Sequence, residues 1–535
     1  MAVDPAGAAM QTRRFFISIT ALALAALALA LAAWWAVLVH SPLRLAQLEP
    51  SIPLTARFIP RDAPFSLNLL TSFKDLEGYA RANASIGKRR QAGAAVGRLR
   101  DGAFAAAGID YQRDLAPWLG HETSLAILQP DGPDGDEGWL LALTSRDAMG
   151  ARRFLQRFWQ ERALAGTELQ LSDHRGMELI SGRAALLGRE LQPLATALVN
   201  DRLVLVASGR TALEQALDVS QINELNLAHG AQFNDTVQYR PQGAVALLRA
   251  RSSGIQRWLD IPGDSGVDEV TLGLRPDGHD LRLDGLARTR RALGHLAGMP
   301  PPDRLAIPAS ASLQIQAPAS LVSTAGSEQA AGEGWQQLLG RSLERWLREQ
   351  QSPLAEAVVR TSEGPMLLGL DRRQGWQLGT AGKDLDIAGV NPAMARAGYS
   401  PGVLTLGDNS VTVWTRLKAV GRQQTIQSEA GGLALEEGDR IRWLPQLSNL
   451  RRNQNKALRR QRKLLERLDL GEAQLWLALD SEGSVGWLGR WTPTGWLGQA
   501  AGGALDKHLA GLGLGLEAET DATDVLGIHV LLDLC

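Results

Sequence analysis

The stretch EVTLGLRPDGHDLRLDGL (269–286) contains two runs in which apolar and polar residues alternate, separated by a turn signal. Strict alternation is typical of a strand that buries one face. Arg275-Pro276-Asp277-Gly278 supplies residues that favour a tight turn between two strands. The stretch therefore predicts a β-hairpin, and it indicates that the surrounding chain builds antiparallel sheet.

A larger unit, ordered hairpin, helix, hairpin, recurs three times, at 123–182, 364–417 and 473–534. In the third copy, the first hairpin is expected at 473–492 and the helix near 495–511. A further similarity relates FIPRDAPFSLNLLTS (58–72) to AIPASASLQIQAPAS (306–320). Because a lone hairpin cannot bury both of its faces, the helices are expected to cover one side of mostly antiparallel sheets. The predicted fold class is α+β, built from repeated hairpin-helix-hairpin modules.

The segment 17–39 contains 23 residues without a charge, enough for a helix that spans roughly 34 Å. Arg13 and Arg14 precede it, which favours a cytoplasmic N-terminus, and Trp34 and Trp35 stand near its far end. The run is long and ends in bulky residues, unlike a cleaved signal peptide. We therefore expect a single uncleaved transmembrane anchor. The arginine pair also fits a twin-arginine export signal, although the positive-inside rule explains it more simply.

These features divide the chain into six segments. The expected division is a cytoplasmic N-terminus (1–16), the anchor (17–39), a proline-containing stalk (40–55), a first exported α+β domain (56–290), a linker with three consecutive prolines (291–305) and a second, related exported domain (306–535). The bulk of the chain is thus predicted to be periplasmic, or lumenal if the membrane is a thylakoid.

The composition excludes several functional classes. Cys535 is the only cysteine, so an intrachain disulfide, a cysteine-based zinc site and an Fe–S cluster cannot form. The net charge of −1 gives no general bias toward nucleic acid. We expect no cofactor, no metal and no nucleic-acid partner.

Four stretches resemble a known bacterial family. They are FIPRDAPFSLNL (58–69), GIDYQRDLAPWLG (108–120), GWLLALTSRDAMGARRFLQRF (138–158) and LVNDRLVLVASGRTALEQAL (198–217). The family consists of single-pass, membrane-anchored proteins catalogued only as a domain of unknown function, and it is common in oxygenic photosynthetic bacteria. The resemblance is good over roughly 56–290 and loose over 300–535. It implies an exported, tethered protein and transfers no catalytic residue.

One cluster of ionisable residues has the composition of an acid/base site. Asp110, Asp114, His121 and Glu122 lie close together in sequence. Leu119-Gly120 connects a predicted helical segment to the strand that follows it, and Leu470-Gly471 does the same later in the chain, where no residue corresponds to His121. We therefore interpret the cluster as part of a structural connection. Gly120 and Gly471 are both expected to end helices with positive φ.

Other motifs also favour structural interpretations. Gly263-Asp264-Ser265-Gly266 matches a protease signature but lacks its flanking sequence and a supporting histidine motif. The carboxylates at 131–137 lie between two strands, as turn residues do, although a weak surface cation site is an alternative. Gly-Leu-Gly-Leu-Gly at 511–515 is interpreted as a helix exit. The eight histidines are scattered, with no metal-binding spacing. No catalytic residue is predicted.

The segment 447–468 is the strongest candidate for a contact site, because its basic residues gather on one side of an amphipathic helix while leucines fill the other. Its candidate residues are Arg451, Arg452, Lys456, Arg459, Arg460, Arg462, Lys463 and Arg467. One interpretation is a solvated face. The other is a contact with anionic lipid or an acidic protein partner.

The sequence favours a non-enzymatic, membrane-anchored accessory or interaction protein of the cell envelope. The alternative is a binding module that holds an apolar or lipid ligand between sheet and helices.

Overall fold

A computed structural model describes residues 45, 51–106, 109–129, 137–184, 192–239, 243–259, 265–290, 298–302, 309–325, 334–371, 375–406, 409–420, 425–446, 455–488, 509–518 and 523–534. These residues combine helices with antiparallel strands, which confirms the predicted α+β class.

Twenty strands alternate with helices along the described part of the chain. The strands are β1 (Phe65–Leu69), β2 (Leu119–Leu128), β3 (Gly138–Ser145), β4 (Gln170–His174), β5 (Met177–Ala184), β6 (Gln192–Val199), β7 (Leu203–Ala207), β8 (Ala246–Arg251), β9 (Val267–Asp277), β10 (Asp280–Thr289), β11 (Ala311–Ile315), β12 (Met366–Asp371), β13 (Gly375–Ala381), β14 (Ser400–Leu406), β15 (Asn409–Val420), β16 (Thr425–Glu437), β17 (Arg440–Leu444), β18 (Leu475–Asp480), β19 (Leu509–Ala518) and β20 (Val525–Leu534).

Twelve α-helices are described. They are α1 (Phe73–Asn83), α2 (Arg89–Ala106), α3 (Ala148–Leu164), α4 (Arg210–Gln221), α5 (Ala231–Tyr239), α6 (Ser252–Leu259), α7 (Pro318–Ala325), α8 (Gly334–Gln350), α9 (Pro353–Thr361), α10 (Ile387–Arg396), α11 (Asn455–Glu466) and α12 (Ser481–Leu488).

The strand pairings form one continuous antiparallel sheet with an internal repeat. Its order is β4-β5-β6-β7-β3-β2-β1-β8-β9-β10 in the first half and continues as β20-β19-β18-β11-β12-β13-β17-β16-β15-β14 in the second. Adding ten to each strand number of the first half gives the second half in reverse. The two halves are therefore topological copies related by a pseudo-twofold axis.

The axis passes between β10 and β20, the last strand of each half. These strands pair antiparallel from Leu281↔Leu532 to Arg288↔Val525. Equivalent strands that pair antiparallel with each other are the arrangement found at the twofold axis of an isologous dimer. The predicted hairpin at 269–286 thus supplies the first half's side of the junction. Its turn is Gly278-His279, two residues beyond the centre of the predicted turn, because Arg275, Pro276 and Asp277 remain in β9.

Helices pack on both faces of the sheet. On one face, α6 packs through Ile255 against Phe65 and Leu272 of the first half. In the second half, α12 packs on the same face through Leu488 against Leu512 and Val530. The opposite face carries α4 and α5 in the first half and α11 in the second.

The third predicted module is wrong, because the described residues contain two copies of the hairpin-helix-hairpin order and the third segment has a different order. The stretch 473–492 was expected to be a hairpin, but β18 is followed directly by α12. Asp480 accepts a hydrogen bond from the Gly483 N–H, which starts the helix where the pattern predicted a second strand. The third segment is observed as β18-α12-β19-β20, and it corresponds to β8-α6-β9-β10 of the first half. The helix predicted near 495–511 lies outside the described residues up to 508, and Leu509 already belongs to β19.

Two predictions about glycine are also wrong. Gly120 lies within β2, and neither it nor Gly471 has positive φ. The left-handed residue after α11 is Asp469, with φ 57°. Gly511, Gly513 and Gly515 do not end a helix but lie in β19.

No helix in the described ranges is both long and apolar enough to cross a membrane. The predicted anchor at 17–39 lies outside those ranges.

Candidate functional site

The face of the sheet that carries α6 and α12 is lined by two apolar ladders of directly opposed residues. The first runs through Val206, Leu141, Leu125, Leu67, Leu248, Leu272, Gly285, Ile528, Leu516 and Leu475. The second runs through Trp443, Leu378, Leu368, Leu313, Leu477, Leu514, Val530, Leu283, Leu274 and Ala246. The pseudo-twofold axis exchanges one ladder with the other, strand by strand.

Both ladders cross the junction between the halves. Most of their side chains near it are only half-buried, whereas Leu272 and Val530 are buried. We call the half-buried set, together with Leu281 on the same face of β10, the leucine trough. Its members are Leu67, Leu248, Leu274, Leu281, Leu283, Leu313, Leu477, Leu514, Leu516 and Ile528. In the middle of a sheet that carries helices, apolar side chains are normally excluded from water. The trough is therefore a contiguous apolar strip that the neighbouring helices leave partly open.

The chemistry of the trough is uniform. Every ladder position carries an aliphatic side chain, glycine or tryptophan, so the strip offers dispersion contacts and no side-chain hydrogen bond apart from the indole N–H. On its flanks, α6 packs on β1, β8 and β9, and α12 packs on β18 and β19. Such a surface fits a ligand or segment that is itself aliphatic.

The opposite face carries a charged row at the same axis. Arg275 Nε lies 3.0 Å from Asp284 Oδ2, and His529 Nδ1 lies 3.0 Å from Asp284 Oδ1. Glu517 follows, 3.7 Å from His529 Nε2. Burial acts to raise the pKa of the Asp284 carboxyl, but hydrogen bonds from His529 and Arg275 outweigh it and hold the pKa below its ordinary value. We call this row the polar seam.

The cluster considered first as an acid/base site is engaged in structural contacts. The Asp110 carboxylate accepts the Arg113 N–H at 3.0 Å and caps a π-helical turn at Tyr111–Leu115. Asp114 accepts the Asp110 N–H at 3.0 Å, and its backbone carbonyl accepts the buried Trp118 indole N–H at 2.6 Å. These contacts hold the π-helical turn and Trp118 in place just before β2 begins.

Glu122 of the same cluster points toward the segment before β1. It accepts the Leu54 N–H at 2.7 Å and the Thr55 N–H at 3.4 Å. Burial raises the pKa of the Glu122 carboxyl above its ordinary value, although these two N–H groups act in the opposite direction. His121 is exposed. The structure thus brings the carboxylates to backbone N–H groups and not to one another around a shared reaction site.

The basic segment forms α11 from Asn455 onward, and three leucines of its apolar side are buried, while Leu458 is half-buried. Leu464, Leu465 and Leu468 pack with Trp476 and Leu531. The glycines of β19 leave space for this helix, because a Cβ on Gly513 would lie 3.1 Å from Leu464 Cγ, and one on Gly515 would lie 2.5 Å from Leu470 Cδ1.

Three of the eight basic candidates bind carboxylates of the chain. Arg460 lies 3.6 Å from Asp533, Arg462 lies 3.0 Å from Glu466, and Arg467 pairs with Asp280. Arg459 and Lys463 are exposed, and neither is paired with a carboxylate of the described residues. Arg451 and Arg452 lie outside the described ranges, as does the side chain of Lys456.

The remaining motifs do not assemble a reactive centre within the described ranges. Ser265 is buried and accepts the Val267 N–H at 3.4 Å, and the other GDSG residues before it lie outside those ranges. The carboxylates at 131–136 lie outside them too. In the part of the chain that is described, no group of three or more His, Cys, Asp or Glu residues has the arrangement of a metal site.

Sequence reasoning missed both the leucine trough and the polar seam. The available signal was the alternation in β9, β10 and β20, which correctly marks apolar and polar faces. It does not show that β10 and β20 are neighbours, and only that pairing makes the ladders continuous.

Comparison with known proteins gives a family but no activity. No curated protein matches the sequence significantly. Two solved structures, crystal forms I and III of TP0453, are similar with 9% identity and TM-scores of 0.27 and 0.26. They cover 47% and 45% of this chain and 82% and 81% of their own. The family model described as "Protein of unknown function (DUF3352)" matches residues 19–479. The chain therefore belongs to this family.

Proposed function

We propose that this protein is a non-enzymatic binding protein of the cell envelope, tethered to its membrane by 17–39, and that it holds an aliphatic ligand such as an acyl chain in the leucine trough. The observation that carries the proposal is the continuity of the two ladders across the β10–β20 junction. An interaction protein without a ligand has no need for a half-open apolar strip at its centre, so the trough favours the apolar-ligand alternative.

The energetics suit a chain-like ligand. Covering apolar surface stabilises a complex by roughly 25 cal/mol for each Å² removed from water. A methylene chain lying along several strands would cover several half-buried leucines at once. Because successive strands lie about 4.8 Å apart, a path from Leu248 on β8 to Leu514 on β19 crosses four strand spacings, or roughly 19 Å. That distance is comparable with a long acyl chain.

A non-enzymatic role is supported by the engagement of the ionisable residues. The carboxylates of Asp110, Asp114 and Glu122 accept backbone N–H groups, and Asp284 is held by Arg275 and His529. A general base or nucleophile needs a free position next to a substrate. The trough itself carries no ionisable side chain.

A photoreactive fatty acid tests this proposal directly. We would reconstitute the full chain in vesicles, irradiate it with a diazirine-bearing fatty acid and map the labelled peptides by mass spectrometry. We expect labels on β9, β10, β19 and β20. Leu283→Trp and Leu514→Trp should fill the trough and lower that labelling roughly tenfold, since a loss of about 1.4 kcal/mol of contact energy suffices.

The matched control is Leu417→Trp, because Leu417 is an exposed leucine on β15, far along the sheet from the junction. It should leave the labelling of β10 and β20 unchanged. Thermal unfolding of each variant would establish that the fold is retained. Labels confined to 17–39, or labels on β10 and β20 that both trough variants leave intact, would contradict the proposal.

A further inference from the structure

The outer side of α11 presents a row of cations directly opposite its buried leucines. At 100° per residue, Leu464, Leu465 and Leu468 share one side of the helix. Arg459 and Lys463 are spaced i and i+4, which places them together on the other side. At 1.5 Å per residue, these two cations lie about 6 Å apart along the helix axis and form a short basic row.

The internal carboxylates neutralise the flanks of α11 and leave the centre of its outer face charged. On one flank, Arg460 and Arg467 form ion pairs with Asp533. On the other flank, Arg462 forms an ion pair with Glu466. Arg459 and Lys463 stand between these flanks and are exposed. Among the described residues, the row is therefore available to an anionic partner without the loss of an ion pair.

The charge of this segment contrasts with the rest of the chain. Residues 451–467 contain eight basic residues and one acidic residue, a net charge of +7. Since the whole chain has a net charge of −1, the remainder carries −8. A cationic stripe on an otherwise acidic molecule orients that molecule in an electric field, so α11 is the side expected to face an anionic surface.

We propose that the outer face of α11 docks on the headgroups of an anionic lipid surface. The exposed residues described on this helix are Arg459, Arg460, Arg462, Lys463 and Glu466, and none is aromatic or aliphatic. Protein interfaces usually centre on aromatic or aliphatic anchors that fill a pocket. Headgroup binding needs only charge, and each cation at an anionic membrane surface contributes roughly a fivefold gain in affinity at low salt.

Lysine footprinting of the full chain tests the proposal. We would reconstitute it in vesicles of phosphatidylcholine, with or without phosphatidylglycerol, and acetylate the vesicle-bound protein with an amine reagent. Lys74 and Lys383 are exposed elsewhere in the chain and serve as internal references. We expect the labelling of Lys463 to slow several-fold on anionic vesicles at low salt and to recover at high salt, with both reference lysines unchanged.

Two variants separate docking from a general charge effect. Arg459→Glu should restore the labelling of Lys463 on anionic vesicles. Arg345→Glu, the same charge reversal at an exposed position on α8, should not. Equal labelling of Lys463 on both kinds of vesicle would overturn the proposal. Protection that appears only after an acidic protein is added would also overturn it, by assigning the row to protein recognition.

Discussion

At the scale of single residues, the axis between the halves is occupied by complementary polar side chains. The pairings that relate the halves make Asp284 equivalent to His529 and Arg275 equivalent to Glu517. Two identical halves would place like residues together at the axis, where like charges in a partly buried site repel. The polar seam instead places the Asp284 carboxylate between the Arg275 guanidinium and the His529 imidazole, so each half is adapted to the other.

Asp284→Asn tests the contribution of the seam to stability. The folded pKa of Asp284 lies below its unfolded value, so its ionised form stabilises the fold above the unfolded pKa, near 4, and that contribution is lost as the pH falls through the folded pKa. We expect the variant to lower the free energy of unfolding at pH 7 by about 1–3 kcal/mol. The difference from the native chain should shrink below pH 4.

Urea unfolding, monitored by circular dichroism across this pH range, measures both the loss of stability at pH 7 and its decrease below pH 4. Asp235→Asn is the matched control, because Asp235 is exposed on α5. That variant should change the free energy of unfolding by less than about 0.5 kcal/mol at either pH. A deficit in Asp284→Asn that stays constant from pH 7 to pH 3 would show that the carboxylate charge is not what stabilises the seam.

At the scale of elements, α11 and β19 depend on each other. The alternation of leucine and glycine in β19 places Gly511, Gly513 and Gly515 on the side that faces α11. The helix can lie close to the sheet there because no Cβ intervenes. The intervening Leu512, Leu514 and Leu516 face the other side, toward the ladders. Strand β19 thus packs against α11 on one face and contributes part of the leucine trough on the other.

Gly513→Val should therefore disturb the packing of α11. Its Cβ would lie 3.1 Å from Leu464 Cγ, so the helix must shift outward. We expect a loss of about 1–3 kcal/mol in the free energy of unfolding, which is typical of overpacking. Chemical denaturation measures it.

Gly471→Ala provides the control for this substitution. Nothing lies within 4 Å of a Cβ at Gly471, and its φ is not positive. The change should leave stability unaltered or raise it by up to about 1 kcal/mol. If Gly513→Val were as stable as Gly471→Ala, close packing of α11 on the glycines of β19 would be excluded.

The sequence pattern predicted an element correctly where the segments that it packs against are close to it in sequence. The alternation in 269–286 gave β9 and β10, and two hairpin-helix-hairpin modules were located correctly. The errors arose where a distant partner decides the outcome. Gly513 was interpreted as part of a helix exit because its partner, α11, lies more than forty residues away in sequence. At α12, the Asp480 carboxylate accepts the Gly483 N–H and starts a helix, although a short alternating pattern predicted a strand there.

The candidate site shows the same limit more strongly. The basic row of α11 could be predicted because helical periodicity is local, and three leucines of its apolar side are buried as expected. The leucine trough could not be predicted, because it depends on the register between β10 and β20, which are more than two hundred residues apart. No period in a single sequence reports such a register.

At the scale of the whole molecule, the fold is an internal dimer. Each half contributes ten strands in the same order, and the sheet ends at β4 on one side and β14 on the other. The leucine trough and the polar seam lie on opposite faces of the same junction. Both the trough and the seam therefore depend on the pairing of β10 with β20.

Amide hydrogen exchange of the full chain, resolved to single residues, tests that pairing most directly. In an antiparallel sheet, successive N–H groups point to opposite neighbours, so a strand with only one neighbour leaves every second amide unpaired. We predict slow exchange at consecutive amides of Leu281–Arg288 and of Val525–Leu532, because each strand lies between two others. Rapid exchange at alternate amides of both strands would show that β10 and β20 are free edges and would contradict the single sheet.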